Sequence, residues 1–319
     1  MSSTADPSTP ATQVASLPQR TNVKRRAAKE PLLDRIIELL LFLAGVSSVA
    51  ITLGIAGTLV FESLAFFREV SLVQFFTDHL WTPLFADPHF GIMPLVSGTL
   101  VTTGVALLIA LPLGTIIAIY LSEFAPAGLR EGIKPLLELL SAVPTVVYGY
   151  FALQLVSPLV QKIVPGTPAF NMLSAGIVMG IMIVPYVSSL SEDALRAVPM
   201  LLREGAYALG ANRLITAVKV VYPAAISGIA SAYILGISRA IGETMIVAIA
   251  AGTQPNLTLD PREGAATITA FIVQASLGDN PHDSIGYKSI FAAGLVLFLI
   301  TLSINIFGHW LRKRFREAY

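Results

Sequence analysis

Long apolar stretches separated by short polar segments occupy most of the chain beyond residue 35. Each stretch has roughly 20 to 30 residues, and about 20 residues of α-helix cross the ~30 Å hydrocarbon core of a bilayer. The pattern therefore predicts an all-α membrane protein with about six transmembrane helices. The predicted spans are Ile36–Phe61, Ile92–Leu121, Leu136–Val156, Phe170–Leu190, Ala224–Ala251 and Ser289–Trp310.

The remaining segments divide the chain into three parts. Residues 1–30 are rich in Ser, Thr, Pro and Ala and end in a basic cluster, which predicts a disordered cytoplasmic tail. Residues 31–91 hold the first transmembrane helix and an amphipathic stretch, Ser63–Trp81, expected along the outer membrane surface with Trp81 as an interfacial anchor. Residues 92–319 form the main transmembrane domain, in which Gly252–Lys288 is expected to be a polar outer loop.

The Lys and Arg residues predict the orientation of the chain. With six spans and a cytoplasmic N-terminus, sixteen of them fall in inside segments, and four fall in outside segments. Cytoplasmic loops of membrane proteins carry such an excess. Both termini are thus expected in the cytoplasm of a multi-pass protein of the cell (inner) membrane. The four on the outside are Arg68, Lys162, Arg262 and Lys288.

Composition excludes several kinds of chemistry. Only 13% of residues are charged, against about 25% in soluble domains, and the net charge of +1 does not favour nucleic-acid binding. The chain has no Cys, and its four His lack metal-ligand spacing, so no metal site and no catalytic residues are expected. None of the seven Lys follows a Gly, so the chain lacks a phosphate-binding P-loop of its own. No cofactor is expected.

The segment of about 189–225 contains a predicted short helix between two membrane spans. Ser189 and Glu192 have capping-box spacing, Pro199 suits the first position of a second helix, and Gly210 suits its end. An apolar or small face is expected to face a groove in a partner protein, with Arg203 and Glu204 pointing elsewhere. The residues of that face are Leu201, Leu202, Gly205, Ala206 and Leu209.

The same segment resembles the coupling loop of ABC importer permeases, whose pattern is E-A-A-x3-G-x9-I-x-L-P. The matching positions here are Glu204, Gly205, Ala206, Gly210, Val220, Tyr222 and Pro223. Gly205 and Val220 keep the size or character of the pattern, and Tyr222 departs from it. The resemblance implies an ABC permease (type I importer) fold over residues 92–319 and a helix that couples to a separate ATPase subunit. The chain is therefore expected to be a transport permease and not an enzyme.

Other stretches are similar to the PstC-type branch of this family, which serves phosphate import. They include Phe90–Leu100, Pro112–Pro126, Leu136–Phe151, Ser189–Pro199 and Ser238–Met245. The resemblance implies four kinds of partner: a sister permease (PstA-like), two copies of an ATPase (PstB-like), an external phosphate-binding protein (PstS-like) and phosphate itself.

Two charged residues within the fifth predicted span are candidates for the substrate pathway. Arg239 and Glu243 are four residues apart, which places them on one face of a continuous helix. A charge within a span usually faces a polar cavity, and the planar guanidinium suits phosphate oxygens. Glu243 could accept a hydrogen bond from the protonated oxygen that hydrogen phosphate carries and sulfate lacks. Mutual neutralisation of the two residues is the alternative, and a pathway role is implied by the family resemblance.

Three other functions remain open from the residues. The cargo could be sulfate, molybdate or an organic solute, which the coupling pattern does not exclude. A secondary transporter would need coupling carboxylates within the spans, where Glu243 is the one clear acid. A membrane enzyme would need a nucleophile–base constellation, which the sequence does not suggest.

Overall fold

The computed structural model of the protein describes residues 31–314, and the tail predicted at residues 1–30 lies outside that range. The chain divides into two compact units, Met1–Ile55 and Ala56–Tyr319. Fourteen α-helices occupy the described residues, confirming the all-α prediction. They are α1 Pro31–Phe67, α2 Leu72–Thr77, α3 Met93–Ile119, α4 Ala127–Ala142, α5 Thr145–Phe151, α6 Ser157–Ile163, α7 Met172–Arg196, α8 Met200–Ala208, α9 Arg213–Thr216, α10 Tyr222–Ala224, α11 Ile226–Ile241, α12 Met245–Ala250, α13 Ile268–Leu277 and α14 Ile285–Arg314. Single π-helical turns extend α3, α5 and α9, at Tyr120–Phe124, Ala152–Val156 and Ala217–Val221.

Four helices are long and apolar enough to cross a membrane, and up to six spans result if two bent pairs each count as one. The third predicted span is wrong as a straight helix, because the chain turns by 86° between Ala127–Ala142 and Thr145–Ile163. The fifth, predicted at Ala224–Ala251, is also wrong as a single helix, because residues 242–244 separate α11 from α12. A 71° bend between Arg213–Ala224 and Ile226–Ile241 lies at the start of this predicted span.

Small residues allow α3 and α7 to pack closely at the centre of the larger unit. Gly176 and Gly180 are one helical turn apart on α7, and a Cβ at Gly180 would stand 2.8 Å from the backbone oxygen of Ala106 on α3. Ala106 and Ala110 are fully buried at this contact. Because lipid is as apolar as the side chains, close van der Waals contact of this kind is a main stabilising force between membrane helices.

An aromatic cluster closes the end of the bundle at which α3 begins, called the far end below. Trp81 is 1% exposed and meets Phe75 and Phe271 edge to face. The predicted interfacial role of Trp81 is therefore wrong, since the ring is inside the protein. The polar outer loop predicted at Gly252–Lys288 also needs correction, because it contains α13, whose Ile268 and Phe271 are buried in this cluster.

A polar clasp ties the far-end loop between α2 and α3. His89 Nδ1 lies 3.0 Å from Asp78 Oδ2, and Gly91 N–H donates to the carbonyl of Leu80 at 2.8 Å. A Cβ at Gly91 would overlap the backbone oxygen of Asp78, so this close approach requires glycine. Burial opposes ionisation of Asp78, but hydrogen bonds from His89 and Leu80 N–H outweigh it and lower the pKa of the carboxyl. The hydrogen bond with Asp78 raises the pKa of His89.

The clasp should be most stable between about pH 4 and pH 6.5. The lowered pKa of Asp78 means that its contribution is lost as pH falls below the ordinary value of 3.8, and the raised pKa of His89 means that its contribution is lost as pH rises above 6.5. Hydrogen exchange of the Gly91 amide, corrected for the intrinsic exchange rate at each pH, should accelerate as the pH rises above 6.5. His89→Gln should abolish this pH dependence and His79→Gln should retain it. Equal pH profiles for the three proteins would contradict the assignment.

Candidate functional site

The helix predicted to couple to an ATPase, α8, lies at the opposite end of the bundle, called the coupling end below. Pro199 is the N-cap of this helix and not its first residue, so the helix begins one position later than predicted. Gly210 follows its last turn with φ +82°. The Gly210 N–H donates to Tyr207 O at 2.9 Å and the Ala211 N–H donates to Ala206 O at 3.0 Å. This pair of bonds is a Schellman motif, in which the left-handed residue is usually glycine. The predicted helix end at Gly210 is confirmed.

The helix before α8 is longer than the sequence indicated. α7 continues to Arg196, so the capping box predicted at Ser189 and Glu192 is wrong: both residues lie inside a continuous helix. The Glu192 side chain is fully buried and accepts a hydrogen bond from Lys134 Nζ of α4 at 2.8 Å. Asp193 Oδ1 is also 2.8 Å from Lys134 Nζ. The acidic pair therefore fastens α4 to the coupling end of α7.

Arg203 points into the protein, contrary to the prediction that it faces away. Its guanidinium donates to both carboxylate oxygens of Glu123, at 2.8 and 3.3 Å, and the two side chains are 11% and 6% exposed. It also donates to the carbonyls of Leu195 and Val198, at 3.0 and 2.6 Å. Arg203 thus joins α8 to the π-turn that ends α3 and satisfies two carbonyls at the end of α7.

The outward face of α8 differs in part from the predicted apolar face. Ala206 is buried and Leu202 is half-buried against the bundle, whereas Leu201 and Leu209 are 76% and 91% exposed. Glu204 and Gly205 lie on the same exposed side. Exposed apolar side chains continue along α9 and its π-turn, at Leu214, Ile215 and Val218. An apolar surface of this kind at the end of a bundle marks an interaction site.

Pro223, the last residue of the predicted coupling motif, is exposed in α10. Its neighbour Tyr222, the residue that departs from the pattern, is half-buried and packs on the cluster that contains Leu195 and Val221. The tyrosine ring therefore fills a place inside the coupling end, where the pattern has a smaller apolar residue.

The fifth predicted span is interrupted between its two charged residues. α11 ends at Ile241, and Glu243 belongs to the break before α12, so the prediction that Arg239 and Glu243 share one face of a helix is wrong. No ion pair joins them in the part of the chain that the structure describes. Glu243 Oε1 instead accepts the amides of Met245 and Ile246, at 3.1 and 3.4 Å. The carboxylate thereby caps α12.

Threonine hydroxyls surround the break. Glu243 is 8% exposed and lines a closed polar seam, and its backbone carbonyl accepts a hydrogen bond from Thr269 at 2.8 Å. The Thr99 hydroxyl accepts the amide of Ile268 at 3.0 Å. The seam is also lined by Thr102, Thr103 and Thr267. The Thr269 bond satisfies a carbonyl that the interrupted helix leaves open, and the Thr99 bond satisfies an amide at the start of α13.

Arg239 is exposed on the surface of α11. It lies thirteen residues beyond the start of that helix, which is about 20 Å along its axis. Its guanidinium stacks over the ring of Tyr186 of α7, 5.8 Å from the ring centroid. A charge this deep is costly against lipid, so the surface that bears Arg239 is expected to face a polar cavity.

The family model for the inner membrane component of binding-protein-dependent transport systems matches residues 110–317. This chain belongs to that family. The permease is 33% identical over 275 residues to a probable ABC transporter permease, YqgH, of Bacillus subtilis, covering 86% of this chain and 87% of that protein. It is 32% identical to the phosphate transport system permease protein PstC of Mesorhizobium japonicum, covering 76% and 78% of the two chains. The PstC 1 protein of Mycobacterium tuberculosis is 34% identical, with 75% and 76% covered.

Solved structures confirm the type I importer fold predicted for the permease. A bacterial alginate ABC transporter, in complex with its alginate-bound periplasmic protein, aligns with a TM-score of 0.63 at 17% identity, covering 90% of this chain and 98% of that one. The MetNI methionine ABC transporter, in an inward-facing conformation, aligns with a TM-score of 0.53 at 19% identity, covering 71% and 95%.

Sequence reasoning missed the contacts that fix the coupling end of the permease. Glu123 and Lys134 received no role and Glu192 was predicted only as part of a capping box, yet all three make buried or half-buried contacts there. One signal was available, since Glu123 is an acidic residue directly after a long apolar span. Its partner Arg203 is 80 positions away, so the pairing itself had no local signature.

Proposed function

We propose that this permease forms part of the pathway of an ATP-driven importer for inorganic phosphate. The principal support is the similarity to PstC permeases over about three quarters of the chain, at 32 to 34% identity. The exposed guanidinium of Arg239 at membrane depth supports an anionic cargo. The name of the Bacillus subtilis relative, a probable ABC transporter permease, gives no cargo. Phosphate is therefore the part of the proposal to measure first.

The proposed partners follow from the family and from the surface of α8. A PstA-like sister permease would supply the other wall of the pathway, and a PstS-like binding protein would deliver phosphate from outside. Two PstB-like ATPases would hydrolyse ATP, and one of them would receive the exposed stripe of Leu201, Gly205 and Leu209. The braces at Glu123–Arg203 and Lys134–Glu192 would carry the movement of α8 into α3, α4 and α7 as a rigid-body rotation.

The same proposal includes the orientation. The coupling end would face the cytoplasm together with both termini, and the far end would face the outside. The excess of Lys and Arg in segments at the coupling end supports this arrangement.

Uptake measurements can test the cargo. The four-component transporter is reconstituted in ATP-loaded vesicles, and entry of radiolabelled phosphate is compared with entry of sulfate and molybdate, with and without a protonophore. Phosphate uptake that requires ATP and survives the protonophore is expected. Uptake driven by an ion gradient without ATP, or a preference for sulfate, would overturn the proposal.

Arg239→Gln should abolish phosphate uptake while leaving the complex assembled. The substitution keeps a polar side chain that donates hydrogen bonds and removes the charge that attracts the anion, so we expect at least a hundredfold loss. Arg262→Gln is the control, because that arginine pairs with Asp260 on the exposed far-end surface and should transport normally. Normal uptake by Arg239→Gln would refute the pathway role.

Glu243 is proposed to favour hydrogen phosphate over sulfate by accepting a hydrogen bond from its P–OH group, which requires the break around residue 243 to open during transport. The side-chain oxygen of Gln at this position can still accept a hydrogen bond from a backbone amide at the start of α12, so Glu243→Gln should fold. The variant should lose part of the preference for phosphate. An unchanged ratio of phosphate to sulfate uptake would exclude the role.

A further inference from the structure

A groove lies between α11 and α14 at the coupling end of the bundle. Its wider part encloses about 530 Å³ and is lined by Ser227, Gly228, Ser231, His309, Arg312 and Lys313. A narrower part, of about 140 Å³, continues from it and adds Ile234, Leu235, Asn305 and Gly308. The two helices touch at its floor, where a Cβ on Gly308 would overlap the side chain of Ile234.

The wider part carries positive charge without a matching carboxylate. Arg312 donates to His309 Nδ1 at 3.4 Å, and Lys313 lines the same wall. Within residues 34–314, neither cation lies within ion-pair distance of an acidic side chain. Arg314 behaves differently: it stacks on the ring of Trp310 and does not line the groove. An anionic ligand would therefore complement Arg312 and Lys313.

The narrower part adds apolar side chains to the groove. Leu235 is eight residues beyond Ser227 on α11, which places it about 12 Å further along the helix axis. Ile234 and Leu235 line this inner part beside Asn305, whose side chain accepts a hydrogen bond from Ser238, and Leu235 is 45% exposed. The groove thus has a cationic mouth near the end of the helices and a continuation that offers the apolar side chains of Ile234 and Leu235. A soluble oxyanion would fill the mouth and leave the continuation empty.

We propose that this groove binds an anionic phospholipid of the leaflet at the coupling end. The phosphodiester would accept hydrogen bonds from Arg312, Lys313 and the Ser227 or Ser231 hydroxyl, and the upper part of an acyl chain would lie on Ile234 and Leu235. Basic pockets between membrane helices are a recurring mode of binding for such headgroups. The bound lipid would join α11, which carries Arg239, to the last membrane helix. This inference does not depend on the identity of the cargo.

Native mass spectrometry of the assembled transporter can test the site. The complex in neutral detergent is titrated with phosphatidylglycerol and, separately, with phosphatidylcholine. Tighter retention of phosphatidylglycerol is expected. Arg312→Gln should weaken it about fivefold and Arg312→Gln with Lys313→Gln about thirtyfold, since each cation near a membrane surface contributes roughly that factor. Arg314→Gln is the matched control and should change it less than twofold.

A substitution that fills the groove without changing its charge, and a competition assay with inorganic phosphate, distinguish a lipid site from a free-anion site. Ser231→Phe should fill the groove without changing its charge and should reduce retention of phosphatidylglycerol to the level of phosphatidylcholine. Inorganic phosphate at millimolar concentration should not displace the lipid. Displacement by phosphate would overturn the proposal in favour of a free-anion site. Equal losses for Arg312→Gln and Arg314→Gln would also overturn it, as would an assembled complex that retains no anionic lipid because another subunit covers the groove.

Discussion

Arg203→Met is expected to lower the free energy of unfolding of the permease by about 3 to 5 kcal/mol. The change leaves Glu123 charged and buried without its partner, and breaking one side of a buried ion pair typically costs this much. The carbonyls of Leu195 and Val198 also lose their donor. Thermal unfolding of the purified complex, followed by intrinsic fluorescence, should show a large fall in the midpoint, or the assembled complex should be lost from membranes.

Arg196→Gln is the matched control for this experiment. Arg196 reaches Glu192 at 3.5 Å and is 48% exposed, so its loss should cost less than about 1 kcal/mol. A double variant, Arg203→Met with Glu123→Leu, should recover part of the stability because no unpaired charge remains in the interior. Equal unfolding midpoints for Arg203→Met and Arg196→Gln would show that the buried pair does not brace the coupling helix.

Gly210→Val is expected to uncouple ATP hydrolysis from transport. A β-branched residue is strained at φ +82°, at a cost of roughly 1 to 2 kcal/mol, and the strain falls on the Schellman motif that sets the corner between α8 and α9. The exposed stripe on α8 should therefore shift relative to the bundle. Phosphate uptake should fall at least tenfold in vesicles while nucleotide hydrolysis by the complex continues.

Gly205→Ala provides the comparison, because Gly205 lies inside α8 and a Cβ there meets nothing within 4 Å. Alanine should strengthen the helix by about 0.5 to 1 kcal/mol and preserve uptake. Glu204→Lys reverses a charge on the same exposed face and should also reduce coupling. If Gly210→Val and Glu204→Lys both kept hydrolysis and uptake fully linked, α8 would not be the transmitting element.

The helices that hold the proposed coupling surface were largely predictable from local patterns. Gly210 could be identified as a helix end because a glycine after a short amphipathic segment favours the left-handed conformation, a preference that resides in the residue itself. The family pattern around Glu204 added the partner that this helix would meet. The direction of Arg203 was not predictable in this way, because a charged residue on a short surface helix ordinarily faces water, and the buried acid that reverses this expectation comes from α3.

The interruptions of the membrane helices were likewise not predictable from the local sequence. Pro112 and Pro185 lie inside the continuous helices α3 and α7, whereas Pro144 stands at an 86° turn. A proline always removes one backbone donor, but neighbouring helices determine whether the chain bends there. The break at Glu243 depends likewise on Thr269, which donates to the open carbonyl of Glu243, and on the Glu243 carboxylate, which accepts the open amide of Met245 in α12.

The amino-acid order by itself determined the all-α membrane class, the approximate spans and the position of the short helix α8, because these depend on hydropathy and residue preferences that act between neighbouring positions. Only the tertiary structure decided which charges are buried and paired. Glu123 with Arg203 and Lys134 with Glu192 are separated by 80 and 58 residues. Such pairs form where packing brings distant helices together and excludes water, and that condition is a property of the folded bundle.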